Sequence, residues 1–244
     1  MKKLVIYLLF KLGYRIHNIS KEVEILKKEK WSFLKDMDIK TILDIGANEG
    51  QFVEEIYNIF PEAKIYSFEP LTEIYQSLKK KIEYKTRLHA YNIALGEQDG
   101  EKTFYMSSGS ASSSVLKMGK LHKILFPDTA TITEQVVTIK RLDNVEGIHI
   151  QDNLMIKIDV QGAEDKVILG GIETFKKAKI IITEVSYATL YENQPLFKEI
   201  FSLLDKINFK YIGNIEQFYH PKNNAPLFSD AIFVNQDFYE RLFN

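Results

Sequence analysis

Two short acidic turns carry the first chemical signal in this chain. Asp44-Ile45-Gly46-Ala47-Asn48-Glu49-Gly50 closes one apolar run, and Phe68-Glu69-Pro70 closes the next. An Asp-x-Gly-x-x-x-Gly turn, a helix-like segment and an acid at the tip of the following strand form the layout of a βαβ nucleoside-binding unit. Glycine lets the backbone approach a ligand where a Cβ would collide, and Glu69 is suited to accept hydrogen bonds from both ribose hydroxyls. Further on, Lys157-Ile158-Asp159-Val160-Gln161-Gly162-Ala163-Glu164 sets a lysine and an aspartate two apart in an apolar strand. Such a pair is costly to bury unless it is mutually paired or faces a cleft. The next apolar run also ends in an acid, Glu184. Carboxylates on successive strand ends suit general-base work on a hydroxyl, with Asp159 the first choice, Glu184 the second and Lys157 beside them. The same two acids are candidate oxygen ligands for a hard divalent cation.

Two nucleoside cofactors compete for the first turn. A dinucleotide favours Gly-x-Gly-x-x-Gly, because its pyrophosphate rests on a helix N-terminus. Here Ala47-Asn48-Glu49 lies between the two glycines, and Glu49 would repel a pyrophosphate. S-Adenosylmethionine carries no phosphate, and its methionine ammonium is served by an acid such as Asp44, through the turn backbone or a water.

These turns need a sheet to hold them, and the sequence reads as one. From residue 41 apolar runs alternate with helical patterns: Thr41–Ala47, Gln51–Phe60, Lys64–Phe68, Leu71–Ile82 and Arg87–Leu95. Alternation resumes with a strand at Leu154–Val160, a helix at Ala163–Lys177, a strand at Lys179–Glu184 and a helix at Pro195–Ile207. The last runs, Phe209–Ile212 and Asp230–Asn235, have no helix-length segment between them and read as an antiparallel hairpin. The expectation is an α/β, Rossmann-like class I methyltransferase fold. Its sheet is seven-stranded and mainly parallel, with a terminal antiparallel hairpin. An insertion at about 97–150 interrupts it, with short strands at Lys102–Met106 and Gln135–Arg141 around a Ser-rich stretch, Ser107–Ser114. A polar segment of that length is either a functional lid or a disordered loop.

Composition narrows the partners. With 244 residues, 45% of them hydrophobic, the chain has enough apolar side chains for a full core, as one domain over 39–244 behind an N-terminal helical extension over 1–38. A formal charge of -1 gives no field favouring nucleic acid. Zero cysteines exclude disulfides and thiolate metal sites, which fits a cytoplasmic protein. Leu4–Phe10 is too short an apolar run to span a bilayer. It reads as an amphipathic helix packed on the domain or a partner, or, with Lys2, Lys3, Lys11 and Arg15, as a peripheral contact at the inner membrane face.

The two acidic turns, together with Asn92-Ile93-Ala94-Leu95-Gly96, Leu142-Asp143 and Lys157 to Glu164, resemble the FkbM family of methyltransferases. The matching motifs run in order from residue 41 to about 185. The resemblance implies methyl transfer from S-adenosylmethionine to an oxygen of a sugar or secondary metabolite. It implies that Asp44, Gly46, Ala47, Asn48 and Gly50 line the methionine end of the cofactor, that Glu69 holds the ribose, and that Pro70 with Leu71 flanks the adenine. Asn92, Ile93 or Ala94 would meet the adenine edge, although Asn92 also reads as a turn former bonding its own backbone. Glu164 has a competing reading as a helix-start acid. Acceptor recognition is expected from the variable parts: Ser113 and His122 in the insertion, Gln161 beside Asp159, and Tyr187 and Tyr191 after the fifth strand. The resulting expectation is an O-methyltransferase acting on a sugar or glycan-precursor hydroxyl. The alternatives are an NAD(P)-dependent oxidoreductase on a similar sheet and a non-catalytic glycan-binding scaffold.

Overall fold

The computed structural model describes residue 11, residues 30–108 and residues 112–243. Contacts divide the chain into two units at Met37 and Asp38. In the first, Ser32–Met37 forms a 3-10 helix, and the expected membrane-facing helix lies outside the described residues. Among the described residues no helix is long and apolar enough to cross a membrane.

The second unit carries the expected sheet. Its strands are β1 (Thr41–Ile45), β2 (Lys64–Phe68), β3 (Leu88–Tyr91), β7 (Leu154–Ile158), β8 (Ala178–Ser186), β9 (Phe209–Tyr219) and β10 (Pro226–Asn235), in the order β3-β2-β1-β7-β8-β10-β9. The first five pair in parallel, and β10 runs antiparallel to both β8 and β9. This is the class I methyltransferase arrangement read from the sequence. All five residues of β1 are buried, as a central parallel strand covered on both faces requires. From β1 the chain winds one way to β2 and β3, and from β7 the other way to β8, so the switch point lies between β1 and β7. Ligands of open parallel sheets bind beyond the carboxyl ends of such strands. Asp44 and Asp159 are both at that end.

Helices α1 (Gln51–Ile56) and α2 (Thr72–Ile82) follow β1 and β2. The single helix expected over 163–177 is two, α4 (Glu164–Gly170) and α5 (Ile172–Phe175), parted at Gly171. A Cβ at Gly170 would stand 1.8 Å from the Gly96 carbonyl oxygen, so this helix end lies directly on the backbone that opens the insertion. α6 (Phe197–Asp205) packs behind β8 and β9, and α7 (Gln236–Phe243) ends the described chain.

The expected strand Arg87–Leu95 also divides. Its first half is β3; its second, β4 (Ala94–Leu95), joins a separate sheet of order β4-β6-β5, with β5 (Gly100–Ser107) and β6 (Ile132–Lys140) as antiparallel partners. Leu71, Ala94, Phe104, Val137 and Ile139 form its small core. The insertion is thus a structured subsheet, and a short helix, α3 (Lys120–Leu125), lies between β5 and β6. The described end of the Ser-rich stretch is tied down, because Ser114 exchanges backbone hydrogen bonds with Tyr105 at 2.7 and 3.1 Å.

Asp143 illustrates how a motif acid serves the scaffold. Its carboxylate accepts the backbone N–H groups of Glu173 (3.1 Å) and Thr174 (2.9 Å) and the Thr174 hydroxyl (2.8 Å), filling donors that the start of α5 leaves open. Asp143→Ala is expected to cost about 1–2 kcal/mol in urea unfolding while leaving ligand affinity unchanged.

Candidate functional site

The first acidic turn is built around a backbone crossing. The Asp159 N–H donates to the Ile45 carbonyl at 2.9 Å, and a Cβ on Gly46 would lie 1.8 Å from the Asp159 carbonyl oxygen. Gly46 also has φ +80°. The glycine is therefore required by the neighbouring strand end, a different reason from the ligand approach expected of it. Gly46 and Ala47 donate to the Phe68 carbonyl at 3.1 and 2.9 Å, which ties the turn to β2. Asn48 follows at φ +48°, and Gly50, at φ +86°, precedes α1.

Glu69 closes the second turn onto the first. One carboxylate oxygen accepts the Asn48 N–H at 3.0 Å and the other the Leu71 N–H at 2.9 Å, fixing both oxygens while each keeps a lone pair for a ligand hydroxyl. Pro70 lies between these anchors. Asn92 braces the same turn from behind: its side-chain amide donates to the Glu69 and Pro70 carbonyls, both at 2.9 Å. Ile93 packs against the main core and Ala94 against the insertion core. The side chains of Asn92, Ile93 and Ala94 thus also hold the scaffold around this turn.

Asp44 is fully buried beneath the turn rather than on its surface. Neither of its oxygens receives a hydrogen bond within geometric limits among the described residues; its partner is Lys157 Nζ, 3.7 Å away. Lys157 also lies 3.4 Å from Asp159 and 3.5 Å from the Gly46 carbonyl. Burial works to lower the lysine's pKa, but Asp159, Asp44 and Asp230 outweigh it and hold the ammonium charged. Burial drives Asp44 up to about 6, against the pull of Lys157. It drives Glu69 to about 7 despite the N–H groups of Leu71 and Asn48.

Beyond β7 the chain passes through two left-handed residues, Gln161 (φ +56°) and Gly162 (φ +98°). Glu164 clamps this turn by accepting the backbone N–H groups of Val160 and Gly162, each at 3.1 Å. It is 2% exposed, and burial raises its pKa to about 7. Both readings of Glu164 meet here, since it opens α4 and also shapes the site turn. Gln161 links the acids: its amide nitrogen donates to Asp159 at 2.7 Å and to Glu184 at 3.3 Å. Burial, then Asp159 and Glu164, push Glu184 well above the usual carboxylate range. The Gln161 amide therefore stands between the two acids named as cation ligands. Among the described residues no group of three or more histidines and acids is gathered to hold a metal. A hard divalent cation needs six or more oxygen ligands or retained waters, and the cation expectation is not carried further.

The insertion reaches this point through Tyr191. Its hydroxyl lies 2.9 Å from Gln161 Oε1, 3.1 Å from the Ser112 carbonyl and 3.4 Å from His122 Nε2. The His122 ring lies between Phe126 and Tyr191, at 5.0 and 5.1 Å, and burial lowers its pKa. Gly119 donates to the Leu190 carbonyl at 2.8 Å, docking the insertion on the loop after β8. So Asp159, Glu184, Gln161, Tyr191 and His122 come together. Ser113 and Tyr187 do not join them: Ser113 accepts the Ser107 N–H, and Tyr187 shares a 2.7 Å hydrogen bond with Ser229. The serine that does reach the site is Ser114, donating to the Gln161 carbonyl at 2.7 Å. Gln194 was also missed; it accepts the N–H groups of Leu190 and Tyr191 at 2.9 and 3.1 Å and fixes the tyrosine. A serine run and a lone glutamine carry no spacing that separates these two from their neighbours.

The donor set suits a cationic ligand. Asp44, Glu69, Asp159, Glu164 and Glu184 converge on the switch point, and Lys157 is the cation that the described contacts set among them. A sulfonium or ammonium nearby would stabilise their charged forms.

Residues 44–211 match the model of the Methyltransferase FkbM domain. A 2-O-methyltransferase, NoeI, of Sinorhizobium fredii (strain NBRC 101917 / NGR234) is 30% identical over 172 residues, 67% of this chain and 70% of that one. The AMB antimetabolite synthetase AmbE of Pseudomonas aeruginosa (strain ATCC 15692 / DSM 22644 / CIP 104116 / JCM 14847 / LMG 12228 / 1C / PRS 101 / PAO1) is 27% identical over 175 residues, 59% of this chain but 8% of that protein. Among solved structures, magnesium protoporphyrin IX methyltransferase (ChlM) from Synechocystis PCC 6803 with bound SAM is similar at 10% identity and TM-score 0.48, covering 91% of this chain and 86% of that one.

The raised carboxyls make stability depend on pH with a definite sign. A carboxyl whose folded pKa lies above its unfolded value favours the fold when protonated, so that contribution is complete below about pH 4 and is lost as pH rises through the folded value. With Asp44 at about 6 and Glu69 and Glu164 at about 7, the window is pH 4–7. Thermal melting across that window should show these acids lowering stability as pH rises, and Glu164→Gln should flatten the slope. An unchanged slope in that variant would show that Glu164 titrates normally.

Proposed function

The chain belongs to the FkbM methyltransferase family, a group of S-adenosylmethionine-dependent methyltransferases, and from that premise we propose that it methylates a hydroxyl of a sugar or glycan precursor. The observation that carries this reading is Asp159. Its side chain is 36% exposed at the carboxyl end of β7, while the other acids of the site are buried. Its carboxylate is oriented from two sides, by Lys157 at 3.4 Å and by Gln161 at 2.7 Å. A base that must meet a diffusing alcohol has to be both reachable and fixed, and Asp159 is both. The relative named a 2-O-methyltransferase supports oxygen as the acceptor atom.

S-Adenosylmethionine, when bound, supplies an electrophilic methyl group on a sulfonium. Glu69, held by the Asn48 and Leu71 N–H groups, is placed to receive the ribose hydroxyls. Asp44 acts indirectly, by anchoring Lys157 under the glycine turn. Asp159 would take the proton of the acceptor hydroxyl as that oxygen receives the methyl group, so that transfer would yield a methyl ether and S-adenosylhomocysteine. Lys157 orients the Asp159 carboxyl group from one side, and Glu184, raised well above the usual carboxylate range by burial and then by Asp159 and Glu164, leaves the base role to Asp159.

Calorimetry with S-adenosylmethionine and S-adenosylhomocysteine tests the cofactor half; no binding of either would sink it. Glu69→Ala should weaken that binding by about tenfold or more, given two lost hydroxyl contacts. Asp159→Asn should bind cofactor normally and lose about 10²–10⁴ in kcat with a sugar acceptor, the range of general-base catalysis. Normal turnover in that variant would move the base elsewhere.

A further inference from the structure

The family match stops at residue 211, yet β9 and β10 continue past it and carry the hairpin to the ligand end of the sheet. Register fixes what they bring there. Glu184 on β8 is opposite Asp230 on β10, which is opposite Glu216 on β9. One step nearer the tip, Ser186 is opposite Phe228, which is opposite Phe218. Direct cross-strand partners share a face, and residues two apart on a strand do as well. An acidic row leading out from Glu184 is therefore flanked, toward the hairpin tip, by an aromatic row on the same face.

The aromatic row is stacked and open. Phe218 and Phe228 have ring centroids 4.5 Å apart and planes 15° apart. Phe228 packs inward against the cluster of Met118, Leu190 and Tyr191, which joins the insertion to the site. Phe218 remains 42% exposed, while Tyr219, one residue on, turns to the opposite face of β9. Leu227 and Ser229, on the opposite face of β10, are buried at 3% and 0%. Apolar rings held rigidly at the open face of a strand pair, one tyrosine away from the catalytic acids, are costly to leave wet unless something lies on them.

We propose that Phe218, backed by Phe228, forms the acceptor subsite, a platform on which the apolar face of a pyranose ring rests while its hydroxyl edge meets the acidic row that leads to Asp159. The assignment depends on a sugar being the acceptor and adds where it is held. A pyranose has one C–H-lined face and a rim of hydroxyl donors, and the hairpin offers the complement: an aromatic plane beside carboxylates, whose oxygens accept several hydrogen bonds each. Phe218 is thus a specificity-determining residue, remote from the reacting atoms.

The test uses the full chain with S-adenosylmethionine and a panel of methyl and p-nitrophenyl glycosides of hexoses and 6-deoxyhexoses. Phe218→Ala should raise KM for the preferred glycoside about tenfold with kcat nearly unchanged, the signature of lost ground-state binding, whereas Tyr219→Ala, on the opposite face, should leave KM at the parent value. Cofactor affinity by calorimetry should match the parent, and Phe218→Tyr should restore KM, which a purely structural role for the hairpin would not produce. Saturation-transfer NMR of the glycoside should lose the signals of one ring face in Phe218→Ala. If the parent methylates a glycoside and Phe218→Ala keeps its KM, the platform is wrong and the sugar reading stands. If the parent neither binds nor methylates any glycoside, the sugar reading fails and the platform falls with it.

Discussion

The site depends on one electrostatic constraint. Asp44 and Asp159, on neighbouring parts of β1 and the β7 turn, are held by one ammonium, Lys157, at 3.7 and 3.4 Å. Two carboxylates so close to a buried backbone turn repel each other, and each loses hydration as the sheet closes over it. The lysine makes the arrangement tolerable, and it also binds the Gly46 carbonyl, so the glycine turn, the hidden acid and the exposed acid share one anchor. The remaining buried acids, Glu69, Glu164 and Glu184, are stabilised by backbone N–H groups or the Gln161 amide. A sulfonium or ammonium bound among these acids would favour their charged forms.

The parallel core was legible because central strands must be apolar on both faces and must end in turn chemistry. Thr41 to Ile45 and Leu154 to Ile158 satisfy both conditions, and the terminal hairpin followed from the missing helix before residue 230. The misread boundaries have local causes. Arg87 to Leu95 looks like one strand by composition, but Asn92 turns its side chain onto the Glu69 and Pro70 carbonyls, and the chain leaves for the second sheet there. The 163–177 helix breaks where Gly170 meets Gly96, a contact 74 residues apart that no local pattern encodes.

Within the site, spacing revealed the acids and hid their partners. Asp44, Glu69, Asp159 and Glu184 were each visible as charges closing apolar runs. Ser114 rather than Ser113, and Gln194 as the clamp on Tyr191, depend on how the insertion docks on the loop after β8, through Gly119 and Leu190. That docking is tertiary, and a serine run gives no phase by which to choose among its members. The hairpin tip was hidden for a related reason: Phe218 acquires meaning only from the register that puts it on the face of Glu184.

The contact between Gly46 and the Asp159 carbonyl has an evolutionary consequence. Because main chain touches main chain there, with the Asp159 N–H bound to the Ile45 carbonyl, the separation of the glycine turn and Asp159 is set by the weave of the sheet and by no variable side chain. Descendants of this scaffold can rebuild the insertion and the hairpin tip without moving Asp159 against that turn. The spacing of the two acidic turns is held by the part of the molecule that mutation alters least, while the side chains around them are free to drift.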